Sequence, residues 1–131
     1  MTEPRWLSLT VALSIHADQM REHGGSLGLR DRGLLESALA RPLNLLHYQP
    51  DSDLFALAAS YGFGIARNHP FVDGNKRAAF QSTYVFLGLN GWRIESDEPE
   101  VVRMMLALAS GDLDEAALGN WLREHTAERL A

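Results

Sequence analysis

The sequence contains no cysteine. That excludes a disulfide framework, a thiolate metal site and a cysteine nucleophile, and it suits a reducing cytoplasm. No apolar stretch is long enough to span a bilayer, and the opening Met-Thr-Glu-Pro-Arg-Trp lacks the basic start and apolar run of a signal peptide. A soluble, cytoplasmic protein is expected. Positive charge is also scarce: 12 Lys and Arg stand against 17 Asp and Glu, a net charge of −5 that disfavours a general electrostatic grip on nucleic acid. There is no Gly-Lys-Ser/Thr P-loop, no His-Glu-x-x-His zinc helix and no Gly-x-Ser-x-Gly elbow. Internal repeats and low-complexity linkers are absent too. What remains is 131 residues, 46% hydrophobic, which suits one compact domain spanning 1–131 around a single core.

Helical patterning runs through the chain. Leu9, Val11, Leu13, Ile15 and Met20 predict a first helix from Leu9 to His23, with Ser8 as N-cap and Gly24-Gly25 as stop. After a loop at 26–30, Asp31 is the expected cap of a second helix whose Leu34, Leu35, Ala38 and Leu39 share one face, and Pro42 is expected to end it. Residues 43–52 are weakly patterned and predict a short turn of helix followed by an exposed flap. Asp53 then opens an apolar stretch from Leu54 to Ala66 that has no polar face, the mark of a central helix. Gly62 and Gly64 each weaken that helix by about 1 kcal/mol against alanine, and they mark close helix contacts. They lack the preceding strand that a dinucleotide fingerprint needs.

Ala78, Ala79 and Phe80, then Tyr84 to Leu87, continue the apolar character up to the turn signal Asn90-Gly91. Trp92 to Glu95 predicts a short extended piece, too isolated to make a sheet. Pro99 marks the start of a helix ending at Gly111, and a last helix runs from Leu113 through Leu122. The fold class is therefore all-α, a bundle of about six helices in which two central helices flank one polar loop.

That loop, residues 69–77, reads His-Pro-Phe-Val-Asp-Gly-Asn-Lys-Arg. Gly74 permits a tight turn, and the free amides at Asn75, Lys76 and Arg77 then form a helix N-terminus, where an anion such as a phosphate chain binds well. Lys76 and Arg77 add charge, Arg77 as a two-pronged donor, and Asn75 offers a neutral donor and acceptor. Lys76 is the only lysine among the twelve basic residues. Asp73 supplies a carboxylate of the kind that holds Mg²⁺ together with phosphate oxygens and water. His69 supplies an imidazole, the side chain most often used to accept the proton of an attacking hydroxyl. Pro70 and Phe71 are scaffold.

Other features have plainer readings. His16 is expected to pack in the interior, and His23, His47 and His125 to lie at the surface. Trp6, Trp92 and Trp121 lack the spacing of a base-stacking platform and read as core. Arg67 and Asn68 adjoin the loop but read as a solvated helix end. The acidic clusters at 95–100 and 112–115 read as carboxylates at helix N-termini.

At the loop the sequence resembles the Fic/Doc family, and within it the death-on-curing toxins of type II toxin-antitoxin modules. The family motif His-x-Phe-x-Asp/Glu-Gly-Asn-x-Arg is matched by His69, Phe71, Asp73, Gly74, Asn75 and Arg77. The likeness continues through His-Gly-Gly at 23–25, Gly-Leu-Arg-Asp at 28–31, Leu-Leu-Glu-Ser-Ala-Leu-Ala-Arg-Pro at 34–42 and Phe-Leu-Gly-Leu-Asn-Gly at 86–91.

The resemblance implies a compact helical fold with His69 as general base, Asp73 as magnesium ligand and Gly74, Asn75, Lys76 and Arg77 as the nucleotide-phosphate cradle. The adenylyltransferase branch of the family has a glycine where Lys76 stands and an arginine where Phe80 stands. Members carrying the lysine bind ATP inverted and transfer its γ-phosphate to a threonine of elongation factor Tu, arresting translation. The implied activity is thus that of an ATP- and Mg²⁺-dependent protein kinase toxin. No Ser/Thr-x-x-x-Glu-Gly/Asn inhibitory segment is present, so restraint is expected from a separate Phd-like antitoxin. The flap at 43–52 is the expected docking site for the target segment. Competing readings are nucleotidyl (AMP) transfer to a protein hydroxyl and a catalytically silent binding module of the same fold.

Overall fold

Ser8, Asp31, Asp53, Asp97 and Asp114 each start a helix by accepting a hydrogen bond from the backbone amide three residues on, at 2.8–3.1 Å. In the computed structural model, which describes residues 3–129, these caps begin α1 (Leu9–His23), α2 (Arg32–Tyr48), α3 (Leu54–Asn68), α5 (Glu98–Ser110) and α6 (Glu115–Glu124). The remaining helix, α4 (Asn75–Leu89), follows Gly74 and has no side-chain cap. Two short strands, β1 (Trp92–Ile94) and β2 (Thr126–Glu128), complete the all-α architecture.

The second acidic cluster places Asp114 at the cap of α6 and Glu115 in its first turn. In the first, Asp97 caps α5, while the Arg103 guanidinium and the Trp121 indole hold the Glu100 carboxyl below its usual range.

Helix α3 is the centre of the bundle and packs against α2, α4, α5 and α6. Leu57, Ala58, Ala59, Tyr61 and Ile65 are fully buried, as an apolar helix without a polar face requires. Burial pushes the Tyr61 phenol up to about 12, and its oxygen accepts the Leu7 amide, tying the segment before α1 to the core. Gly62 and Gly64 are the close contacts that their positions suggest. A Cβ at Gly62 would sit 2.5 Å from Thr83 Oγ1 on α4, and one at Gly64 would sit 2.8 Å from Arg41 Cδ on α2. Trp121 belongs to the core, and Trp6 and Trp92 pack against it half-buried. His125 is half-buried rather than on the surface, stacked on Trp121 at 4.5 Å.

Two expectations fail. Pro42 does not end α2, which runs on to Tyr48 and leaves only 49–53 as a connection, so no flap spans 43–52. A proline inside a helix costs about 3 kcal/mol through one lost hydrogen bond and a clash. Here Leu35, Ala38, Leu39 and Pro42 are buried on one face, and Leu45 and Leu46 extend it against the core, so packing outweighs the break. The 92–95 piece does form a sheet. Its partner is the segment after α6, antiparallel with Trp92 opposite Glu128 and Ile94 opposite Thr126.

Helix α6 is fastened from two sides. Arg41 on α2 pairs with Glu115, and Arg123 donates twice to Asp53 at 2.6 and 2.9 Å. Burial alone would raise the Asp53 carboxyl, but Arg123 and the amides of Ala56 and Phe55 outweigh it and hold the group below the ordinary carboxylate value.

Two stability predictions follow from this packing. Gly62→Ala gains about 1 kcal/mol of helix propensity but overpacks against a Thr83 that is itself buried, a cost of about 1–3 kcal/mol. Denaturant melts should therefore show a net loss of stability, and a stabilised variant would mean that α3 and α4 are not in close contact. Asp53→Asn keeps the cap oxygen and removes the charge. Because the folded pKa is depressed, the carboxylate contributes fully above its unfolded pKa and loses that contribution as pH falls through the folded value. The variant should melt below wild type at neutral pH by the equivalent of at most about 1 kcal/mol. That gap should narrow as pH falls below the ordinary carboxylate value of 3.8 and through the depressed folded value, and would stay constant if Arg123 did not recognise the charge.

Candidate functional site

Helix α3 ends at His69, whose backbone is left-handed at φ 49 and ψ 55, and His69 is the only non-glycine among the described residues with positive φ. Such a conformation costs of order 1 kcal/mol or more and persists only where neighbours hold it. Several do. The His69 amide donates to the Ile65 carbonyl at 3.2 Å, and its carbonyl accepts from Arg30 Nε at 2.7 Å. Arg30 Nη2 donates to the Asn68 carbonyl at 2.9 Å, so one guanidinium closes the end of α3. The amides of Arg30 and Asp31 both donate to the Pro70 carbonyl, and Leu29 forms an antiparallel bridge with Phe71. The segment 28–31 between α1 and α2 is thus a brace for the loop.

Inside the loop, Asn75 brackets Phe71. Its Oδ1 accepts the Phe71 amide and its Nδ2 donates to the Phe71 carbonyl, both at 3.0 Å. Phe71 is buried, as is Asn75 at 9% exposure. One hydrogen of Nδ2 and one lone pair of Oδ1 thus serve the loop, and the Asn75 backbone amide stands at the start of α4.

Beyond this bracket the chain turns at Gly74, φ 74, into α4. The first intrahelical bond there runs from the Ala78 amide to the Gly74 carbonyl, so the amides of Asn75, Lys76 and Arg77 precede the helix's own bonding. Lys76 and Arg77 are exposed and make no ion pair among the described residues, whereas Arg21, Arg32, Arg41, Arg93, Arg103 and Arg123 all do. Three free amides, a helix dipole and two unengaged cations converge on one end of one helix.

They face a cleft of about 520 Å³. His69, Asp73, Gly74, Asn75, Lys76 and Arg77 all line it, so the structure brings every residue singled out in the loop to one cavity. The His69 ring is exposed, and its nearest hydrogen-bonding neighbour among the described residues is Asn75 Nδ2, at 3.5 Å from Nδ1. Asp73 is exposed too. Its Oδ1 accepts the Gly74 amide at 2.8 Å and its Oδ2 the Ser26 amide at 3.1 Å. No group of three His, Cys, Asp or Glu side chains among the described residues is placed to hold a metal ion. One accessible carboxylate beside an anion site suits a Mg²⁺ that arrives with phosphate oxygens and keeps its waters, and it does not suit a resident metal.

The opposite wall is apolar. Val102, Met105 and Leu106 of α5, with Val72 from the loop, close the cleft, and Val102, Leu106 and Val72 are about half exposed. Sequence reasoning placed no α5 residue at the site. The available signal was three apolar side chains within one turn of a helix whose core face is already supplied by Met104 and Leu108. Residues 43–52, expected to dock a target segment, do not line this cleft. Arg67 is a solvated helix end stacked over Phe63, but Asn68 is half-buried and donates to the Leu34 carbonyl at 2.9 Å, tying α3 to α2.

Comparison with known proteins bears on this arrangement. The Fic/DOC family model matches residues 6–87, which takes in α1, α2, α3, the whole loop and most of α4. Over 119 residues the chain is 31% identical to a protein of Escherichia phage P1 named Protein kinase doc, covering 91% of this chain and 94% of that one. Over 76 residues it is 43% identical to Toxin Doc of Mycolicibacterium smegmatis, covering 56% of this chain and 58% of that one. With the helical fold, the motif loop between α3 and α4 and these matches, the chain belongs to the Fic/Doc family.

Proposed function

We propose that this protein is the toxin of a type II toxin-antitoxin module and that it transfers the γ-phosphate of ATP to a Ser or Thr hydroxyl of a protein target. Elongation factor Tu is the first target to test, and a Phd-like antitoxin the partner to seek. The observation that carries this is the start of α4, without a side-chain cap among the described residues, where free amides, Lys76 and Arg77 stand beside an accessible His69. The names of the two relatives, a protein kinase and a toxin, point the same way.

In the proposed reaction the target hydroxyl oxygen bonds to the γ-phosphorus while the bond from phosphorus to the bridging oxygen breaks. ADP leaves with that electron pair. His69 takes the hydroxyl proton, a contribution typically of ~10² to 10⁴ in rate. The amides of 75–77 with Lys76 and Arg77 hold the phosphate oxygens, which is most of what phosphoryl transfer asks of a protein. Mg²⁺, held by Asp73 and the phosphates, would neutralise charge on the nucleotide. Lys76 places a compact point charge at the second position of α4, filling space that a glycine would leave for phosphates lying closer to the backbone.

Two measurements test this. ATP labelled at the γ-phosphate should mark elongation factor Tu when incubated with the protein and Mg²⁺, and α-labelled ATP should not. Transfer of the α-label instead would replace phosphoryl transfer by nucleotidyl transfer. His69→Ala should lower the labelling rate by ~10² or more and relieve growth arrest. If it arrests growth as wild type does, the chain acts as a binding module and not as an enzyme.

A further inference from the structure

Helix α1 contributes no residue to the cleft, yet two of its side chains, His16 and Met20, reach the turn that forms it. They lie one helical turn apart on the buried face, at 3% exposure each. The His16 ring lies flat against Phe71, with centroids 3.8 Å apart and planes 3° from parallel. Its Nε2 is 2.7 Å from the backbone carbonyl oxygen of Asp73. A carbonyl only accepts, so Nε2 carries the hydrogen and donates it.

This bond has consequences one peptide further on. In a trans peptide the C=O and the following N–H point in opposite directions. Drawing the Asp73 carbonyl toward α1 therefore turns the Gly74 N–H the other way, and there Asp73 Oδ1 accepts it at 2.8 Å. The other carboxylate oxygen accepts the Ser26 amide at 3.1 Å. The peptide thus sets the carboxylate. A peptide followed by glycine can rotate at low cost, because glycine accepts either sign of φ, so something outside the turn must select the orientation.

Met20 bounds the turn from below. A Cβ at Gly74 would collide with Met20 Cε and lie 3.7 Å from His16 Nε2, while a Cβ at Gly25 would fall 2.6 Å from Met20 Sδ and 2.9 Å from Asp73 Oδ2.

We propose that His16 is a positioning residue of the site: its donated hydrogen bond holds the peptide between Asp73 and Gly74 in the orientation that presents the Asp73 carboxylate to the cleft. The role in Mg²⁺-nucleotide binding rests on the phosphotransfer function proposed above, whereas the hold on the peptide does not.

Two substitutions separate donor from packing. His16→Phe keeps a flat ring on Phe71 and loses the donor; His16→Gln gives up the ring and keeps an amide hydrogen at nearly the Nε2 position. In the ligand-free protein, followed by NMR hydrogen exchange, His16→Phe should speed exchange of the Gly74 and Ser26 amides about tenfold, and His16→Gln should keep both within about threefold of wild type. The dissociation constant for ATP with Mg²⁺, measured by calorimetry, should rise about tenfold in the Phe variant and be recovered in the Gln variant. A folded Phe variant with wild-type exchange at both amides overturns the proposal, and so does a Gln variant with protection as poor as the Phe variant's. If the Phe variant fails to fold, protection in the Gln variant decides alone. Wild-type protein that binds no ATP overturns the phosphotransfer function, and amide exchange then still decides the role of His16.

Discussion

Helix α4 starts at a glycine, and no side chain among the described residues caps it. A helix end so placed leaves amides unsatisfied, and elsewhere in this fold Ser8 or an aspartate removes that cost. Keeping one end open requires the turn before it to be held by other means. Much of the structure around the loop serves this constraint: Arg30 on the His69 and Asn68 carbonyls, the 30–31 amides on Pro70, Asn75 around Phe71, and His16 on Asp73. The turn is held because its backbone is bonded to α1, to the 28–31 segment and to α4 itself, while the Lys76 and Arg77 side chains that line the cleft make no ion pair among the described residues.

The same economy appears in the distribution of charge. The protein is acidic as a whole, and four of its eight aspartates cap helix N-termini. Six arginines are paired with carboxylates at half-exposed positions, where each pair stabilises by no more than about 1 kcal/mol. Lys76 and Arg77 make no ion pair among the described residues, so their charge adds to the helix dipole at the start of α4.

Much of this was legible in the residues because it depends on local chemistry. The caps at 8, 31 and 53, the apolar helix at 54–66 and the polar loop follow from side-chain type and spacing alone, and the loop residues do meet in one cavity. What escaped is non-local. Pro42 is a breaker by propensity, and only burial of the face running on to Leu45 and Leu46 carries α2 through it. The strand at 92–94 looks isolated because its partner lies more than thirty residues away, beyond α6. That the Asn75 side chain also brackets Phe71 leaves no mark in the sequence. His16 reads as a packed histidine, which it is, but its bond to Asp73 spans 57 positions and leaves no local pattern.

The apolar wall of the cleft raises a different point. Its floor, from His69 to Arg77, lies within the segment that the family model matches, whereas Val102, Met105 and Leu106 lie beyond its end at residue 87. Backbone amides and cations at a helix start are suited to phosphate but indifferent to what the phosphate is attached to. Discrimination among ligands that share a phosphate must come from surface that contacts the rest of the molecule, and in this cleft α5 provides most of that surface. Helix α5 also packs on α3 and α4, the two helices that bear the loop, so the wall and the floor are set by one core. A change in α5 packing therefore moves the apolar wall relative to the start of α4 without altering the loop that forms the floor.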